Sequence, residues 1–217
     1  MSFTFEYLES QILALVNQKN IQNSARVRLT VFRNEGGFYS PTDHSASFVI
    51  QANELPNQLY SIADNYFEVD LYKDFVVTKQ LLSTLKTNNK IIQITASVFA
   101  QENQLDSCLL INEDKNVIEA ANGNLFMLLN NQLITPPITE GCLNGVMRKQ
   151  ILKLAKELGN IEVIEKEISP FDLQKADELF ITNVIVGIQP ITKYRKKEFE
   201  IKLSFALLSK LNQLIEV

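Results

Sequence analysis

Three short apolar runs follow one another in the middle of the chain: 108–112 (CLLIN), 117–120 (VIEA) and 124–130 (NLFMLLN). Only the polar stretches 113–116 and 121–123 separate them. Runs of this length, bounded by Asn, Asp and Gly, make strands and leave no room for a helix between them. Asn130-Asn131 then turns tightly into QLITP, and Pro136-Pro137 opens a loop that reaches Gly145. A sheet therefore organises this part of the chain.

Helical periodicity lies on both sides of it. In 5–19, Phe5, Leu8, Ile12, Leu15 and Val16 share a face, and a second helical pattern runs from Asn88 to about Ala100. In 146–158, Val146, Ile151, Leu154, Ala155 and Leu158 fall together, with Gly159-Asn160 as a C-cap. An amphipathic helix is expected at about 199–215. In 26–32, Val27, Leu29 and Val31 point one way and Arg26, Arg28 and Thr30 the other, so a half-buried strand is expected. Gly36-Gly37 turns the chain toward a second strand at 46–52. Strands are also expected within 65–78 and at 161–168 and 179–184, with a short helical piece near 171–175. The fold class is α+β with mixed sheets. The break at 101–106 (QENQLD) is the expected boundary between a small domain, 1–100, and a larger one, 107–217.

Composition narrows the function. A net charge of −4 and a pI near 5.2 do not suit a nucleic-acid partner, which wants a basic face. The apolar runs are too short to span a bilayer, and MSFTFEYLES lacks a basic targeting segment, so a cytoplasmic protein is expected. Two cysteines, Cys108 and Cys142, make no disulfide framework and are expected as reduced thiols. His44 is the only histidine, which leaves a Ser-His-Asp triad or a multi-histidine metal site without material, and no metal is expected. His44 lies in a polar loop and is read as a surface residue, and Cys142 has no histidine to make it a nucleophile.

A lone lysine in such a chain is a solvated charge. What singles out Lys86 is the series of segments around and after it: LKTNNKIIQ (85–93), VIEAANGNLF (117–126), ITPPITEGCLNGVMR (134–148), ADELFITN (176–183) and IQPI (188–191). In this order they resemble the class IV aminotransferases that use pyridoxal 5′-phosphate (PLP), a family that includes aminodeoxychorismate lyases and D-amino-acid and branched-chain aminotransferases. The resemblance covers residues 24 to 193 and implies fold type IV, two domains and a homodimer. It also implies that family members carry a further N-terminal stretch, with opening strands and an arginine that clamps the phosphate, so Met1 would fall inside the small domain.

The resemblance also implies roles. Lys86, followed by Thr87-Asn88-Asn89, would carry the cofactor and act as acid and base. Such a lysine must lose its proton readily, which desolvation or a neighbouring cation favours. Glu119, before the triplet Asn124-Leu125-Phe126 and 33 residues after Lys86 (119 − 86), would pair with the pyridine nitrogen and keep it protonated. On its own, Glu119 would read as the solvent face of an edge strand. Gly145, Val146 and Met147 open a helix whose N–H groups would hold the phosphate. Asn183 and Val184 resemble a second phosphate loop, although other members place Gly-Thr or Ser-Thr there and this chain lacks that hydroxyl. Arg28 and Arg33 are candidates for a substrate carboxylate, the alternative being a solvated face. Asn144-Gly145-Val146-Met147-Arg148 and Arg33-Asn34-Glu35-Gly36-Gly37-Phe38-Tyr39 lean toward the lyases. The expected reaction is release of pyruvate from 4-amino-4-deoxychorismate to leave 4-aminobenzoate for folate. An aminotransferase on D- or branched-chain amino acids, or a remnant that binds no cofactor, are the alternatives.

Overall fold

Thr4 accepts a hydrogen bond from the Tyr7 N–H and starts α1 (Phe5–Gln18), the first element of a computed structural model that describes residues 3–62 and 66–215. β1 (Ser24–Arg33) and β2 (Ala46–Leu55) then form an antiparallel hairpin in which Val27 faces Ala52 and Val31 faces Phe48. The Phe48 ring meets Phe3 edge-on at 4.8 Å and Tyr7 at 6.0 Å, which holds α1 on the hairpin. These elements make up one compact unit, Met1–Leu59; the other is Tyr60–Val217.

The second unit begins with β3 (Glu68–Val77), crosses through α2 (Ile91–Glu102) and returns as β4 (Ser107–Asn112), parallel to β3. Then β5 (Val117–Ala120), β6 (Gly123–Leu129) and β7 (Gln132–Thr135) run antiparallel in succession, because their connections are too short for anything else. A loop leads to α3 (Val146–Leu158) and on to β8 (Glu162–Glu165), which is parallel to β7. β9 (Glu178–Asn183) lies against β6, and β10 (Gly187–Ile191) folds back on β9 at the sheet edge. That edge tolerates Pro190, which has no N–H to donate. The two-residue strands β11 (Lys193–Tyr194) and β12 (Lys197–Glu198) extend the other side, and α4 (Leu203–Gln213) follows. Among the described residues, ten strands join in this one mixed sheet.

The division of the chain departs from the expected 101–106 boundary. β3 is hydrogen-bonded to β4, and Ala96 and Ala100 of α2 pack with Tyr72, Cys108 and Leu110. Residues 60–100 therefore belong with the larger unit. Three other expectations shift. The second helix starts at Ile91 rather than Asn88, because single turns close Thr87 N–H on Leu85 and Lys90 N–H on Asn88. Residues 171–175 form turns, not a helix: Asp172 N–H reaches Ser169 and Lys175 N–H reaches Asp172, and no longer ladder follows. The last helix starts at Leu203, where the buried Glu178 carboxylate accepts from the Lys202, Leu203 and Ser204 N–H groups and caps it.

Packing on the two sheet faces differs in a way that positions the site. Phe126 and Phe180, on paired positions of β6 and β9, stack at 5.1 Å and pack with Met147, Ile151 and Leu154 of α3. Leu109, Ala120, Leu125 and Ile181 fill the opposite face. β4 and β5 are buried along their whole length. Their register slips between the pairs Leu110–Glu119 and Ile111–Val117. One β5 residue is thus left over, a β-bulge. Ile118 consequently packs on the α2 side while Glu119 also turns toward α2.

Candidate active site

A cavity of about 530 Å³ lies within the second unit, bounded by the segment before α2, the β5–β6 turn, the loop entering α3 and the end of β9. That volume is ordinary for a small-molecule site. Lys86, Glu119, Asn124, Gly145, Val146, Met147, Asn183 and Val184 all line it, so residues scattered over the sequence converge. Lys86 itself is exposed, while Lys90, also in the wall, is half-buried.

Glu119 is 5% exposed, which disposes of the solvent-facing edge reading. Its Oε2 accepts from the Leu143 N–H at 2.8 Å, and its Oε1 accepts from Gln93 Nε2 at 3.4 Å. Burial pushes its carboxyl above the usual range, against the Leu143 N–H, the ammonium of Lys90, Gln93 and the ammonium of Lys86. Lys90 is pushed down by burial, an effect Glu119 opposes and Lys86 adds to. Gln93 carries no signal in the sequence as a cavity residue: a helical Gln shows nothing until α2 docks.

The loop from Thr135 to Gly145 is tied down from below. Glu140, 3% exposed, accepts from Asn112 Nδ2 at 2.7 Å and Asn116 Nδ2 at 2.9 Å and pairs with Lys79 Nζ at 2.7 Å. Asn124 Nδ2 donates to Leu143 O at 2.7 Å, and a Cβ on Gly145 would lie 2.2 Å from Asn124 Oδ1. Only glycine fits this close approach. Gly145 is the N-cap of α3 and offers no side chain, so the first N–H groups of the helix face the cavity uncapped. Arg148, one turn on, is buried and turns away, donating to Pro136 O at 2.8 Å and Glu165 at 2.6 Å.

Asn183 and Val184 are present in the wall, but the Asn183 side chain is committed. Its Nδ2 donates to Asn122 O at 3.1 Å, and its Oδ1 accepts from the Ile185 and Val186 N–H groups at 2.9 and 3.0 Å. Arg28 and Arg33 lie on β1 of the other unit, both exposed, Arg28 opposite Gln51 and Arg33 Nη1 donating to Gly36 O at 2.5 Å. His44 is exposed. Among the described residues no cluster of three His, Cys, Asp or Glu side chains forms, and no helix is long and apolar enough to cross a membrane.

An amine, a buried carboxylate and an uncapped helix N-terminus around one cavity define a small-molecule site. Residues 1–194 match the amino-transferase class IV model, and the chain belongs to that family. It is 24% identical over 190 residues to the aminodeoxychorismate lyase of Vibrio harveyi, a match covering 86% of this chain and 69% of that one. It is 44% identical over 75 residues to the branched-chain-amino-acid aminotransferase of Escherichia coli K12, covering 35% of this chain and 24% of that one. The matched segments span less than half the length of the branched-chain relatives. A solved E. coli branched-chain aminotransferase superposes with a TM-score of 0.88 at 22% identity, over 99% of this chain and 73% of that one. The enzyme from Thermobaculum terrenum in its PLP form gives 0.85 at 21%, over 99% and 72%. The α+β architecture with its mixed sheet is the fold of these class IV enzymes, fold type IV.

Proposed function

We propose that this chain forms the PLP site of a class IV enzyme and that its reaction is of the lyase kind. The observation that carries the cofactor reading is the convergence of Lys86, Glu119 and the start of α3 on one cavity. The residues fit the group: a cavity of about 530 Å³, a glycine N-cap with no side chain to occupy the first N–H groups of α3, and a buried carboxylate without a cation in hydrogen-bond reach. PLP bound there would supply an electron sink for charge developing on the substrate α-carbon.

In this reading Lys86 Nζ would hold the cofactor and would take and return a proton at the substrate's reacting carbon. Glu119 Oε accepts the hydrogen bond of the ring nitrogen and holds that proton in place. A cation there would favour the ionised carboxylate, opposing the upward push of burial. The Val146 and Met147 N–H groups bind the phosphate, helped by the α3 dipole. Asn124 holds Leu143 and so aims the Leu143 N–H at Glu119. Arg28 and Arg33 remain candidates for a substrate carboxylate.

Support for the lyase over the aminotransferase comes from the 190-residue similarity to the Vibrio harveyi lyase and from Asn144-Gly145-Val146-Met147-Arg148. The substrate would be 4-amino-4-deoxychorismate, a small amino-group-bearing molecule, and the products pyruvate and 4-aminobenzoate. The second reading, an aminotransferase on branched-chain or D-amino acids, draws on the 44% match to the E. coli enzyme. Our proposal extends to a cytoplasmic homodimer serving folate biosynthesis; Phe38 and Tyr39, fully exposed on the N-terminal unit, offer apolar surface to a second copy. Incubation of the PLP-loaded protein with 4-amino-4-deoxychorismate should release equal amounts of pyruvate and 4-aminobenzoate. A 2-oxo acid from a branched-chain or D-amino acid, with an aminated acceptor, would instead establish the aminotransferase.

A further inference from the structure

Thr182, next to last in β9, carries a hydroxyl that the fold leaves without a partner. The residue is 1% exposed, and its Oγ1 is one of three buried side-chain polar atoms among the described residues that make no hydrogen bond. The other two, Arg148 Nε and Tyr194 OH, belong to residues away from the cavity wall, whereas Thr182 lines it. Buried hydroxyls are nearly always paired, so a free one on a residue of the cavity wall points to a ligand.

The register says which part of the ligand. Thr182 stands opposite Asn124, two pairs beyond the stacked Phe126 and Phe180 and so on their side of the sheet, since alternate pairs and cross-strand partners share a face. That face is the one α3 covers. Asn124 Oδ1 in turn abuts Gly145, the uncapped start of α3. The Thr182 hydroxyl thus belongs to the same corner as the open N–H groups of α3. The residues expected to supply a hydroxyl here cannot: Asn183 is committed to Asn122, Ile185 and Val186, and Val184 has none.

We propose that Thr182 Oγ1 donates a hydrogen bond to the phosphate group held at the α3 N-terminus, replacing the loop hydroxyl that Asn183-Val184 lacks. This rests on the PLP reading above. The test is titration of the whole protein, followed by absorbance, with PLP and separately with pyridoxal, which has no phosphate. Thr182→Val keeps the shape and removes the donor; Thr182→Ser keeps the donor. The valine variant should bind PLP about tenfold or more weakly, the worth of one hydrogen bond to a charged group, while pyridoxal affinity stays unchanged. The serine variant should stay within about threefold of wild type. Unchanged PLP affinity in Thr182→Val, an equal loss for PLP and pyridoxal, or a serine variant as weak as the valine one would overturn the assignment. Wild-type protein that binds neither compound would sink the cofactor reading itself, and this one with it.

Discussion

Replacing Glu119 with glutamine should push stability and cofactor binding in opposite directions. In the cofactor-free protein the amide oxygen can still accept from Leu143 N–H, so the 2.8 Å bond survives. What is lost is at most the long Gln93 contact at 3.4 Å, and a neutral hydrogen bond nets only about 0.5–1.5 kcal/mol. What is gained is freedom from a buried charge. Because the folded-state pKa of Glu119 is raised by burial, the neutral carboxyl contributes stability below the unfolded value of about 4.3, and this is lost as pH rises through the folded value. The cofactor-free Glu119→Gln protein should therefore match or exceed wild type in urea unfolding at neutral pH, and its stability should vary less with pH between acid and neutral. With PLP the sign reverses. A charge-assisted bond to the ring nitrogen is worth about 1.5–3 kcal/mol, so its loss should weaken PLP binding roughly ten- to a hundredfold. Absorbance titration measures this directly. Wild-type PLP affinity in the variant would remove Glu119 from the ring nitrogen. A loss of more than about 3 kcal/mol in the cofactor-free protein would make the carboxylate a structural tie instead.

Three further outcomes follow from the same geometry. Gly145→Ala puts a Cβ 2.2 Å from Asn124 Oδ1; turning Asn124 aside breaks its bond to Leu143, so urea unfolding should show a loss of about 1–3 kcal/mol together with weaker PLP binding. Glu140→Ala takes the acceptor from Asn116 Nδ2 and leaves Asn112 Nδ2 only the Glu140 carbonyl, while Lys79 keeps Asp114, so the loss should be about 1–3 kcal/mol by the same measurement. Burial pushes the Cys108 and Cys142 thiols up to about 12, so both should react with a thiol reagent at neutral pH only after urea is added.

Much of the β4–β7 meander could be read in the sequence because its turns are short and its apolar runs sharply bounded. The α3 helix was equally plain, since Ile151, Leu154 and Ala155 share a face and Gly159 ends it with a positive φ of 73°. The unit boundary was not, because the parallel pairing of β3 with β4 bridges a long stretch of sequence and leaves no local mark at Leu59. The site divides in the same way. That Lys86, Glu119 and Gly145 line one cavity agrees with the motifs that single them out. The features that make Glu119 useful were hidden: the bulge that turns it toward α2, the backbone N–H of Leu143 and the docking of Gln93. Thr182 was read as a strand residue, and only the failure of its hydroxyl to find a partner sets it apart.

Borohydride reduction of the PLP-treated protein, followed by peptide mass mapping, tests the central claim most directly. A visible absorbance band before reduction and a single phosphopyridoxyl adduct on Lys86 afterwards are the expected result. No band, or adducts spread over surface lysines such as Lys149 and Lys196 with none enriched at Lys86, would contradict it.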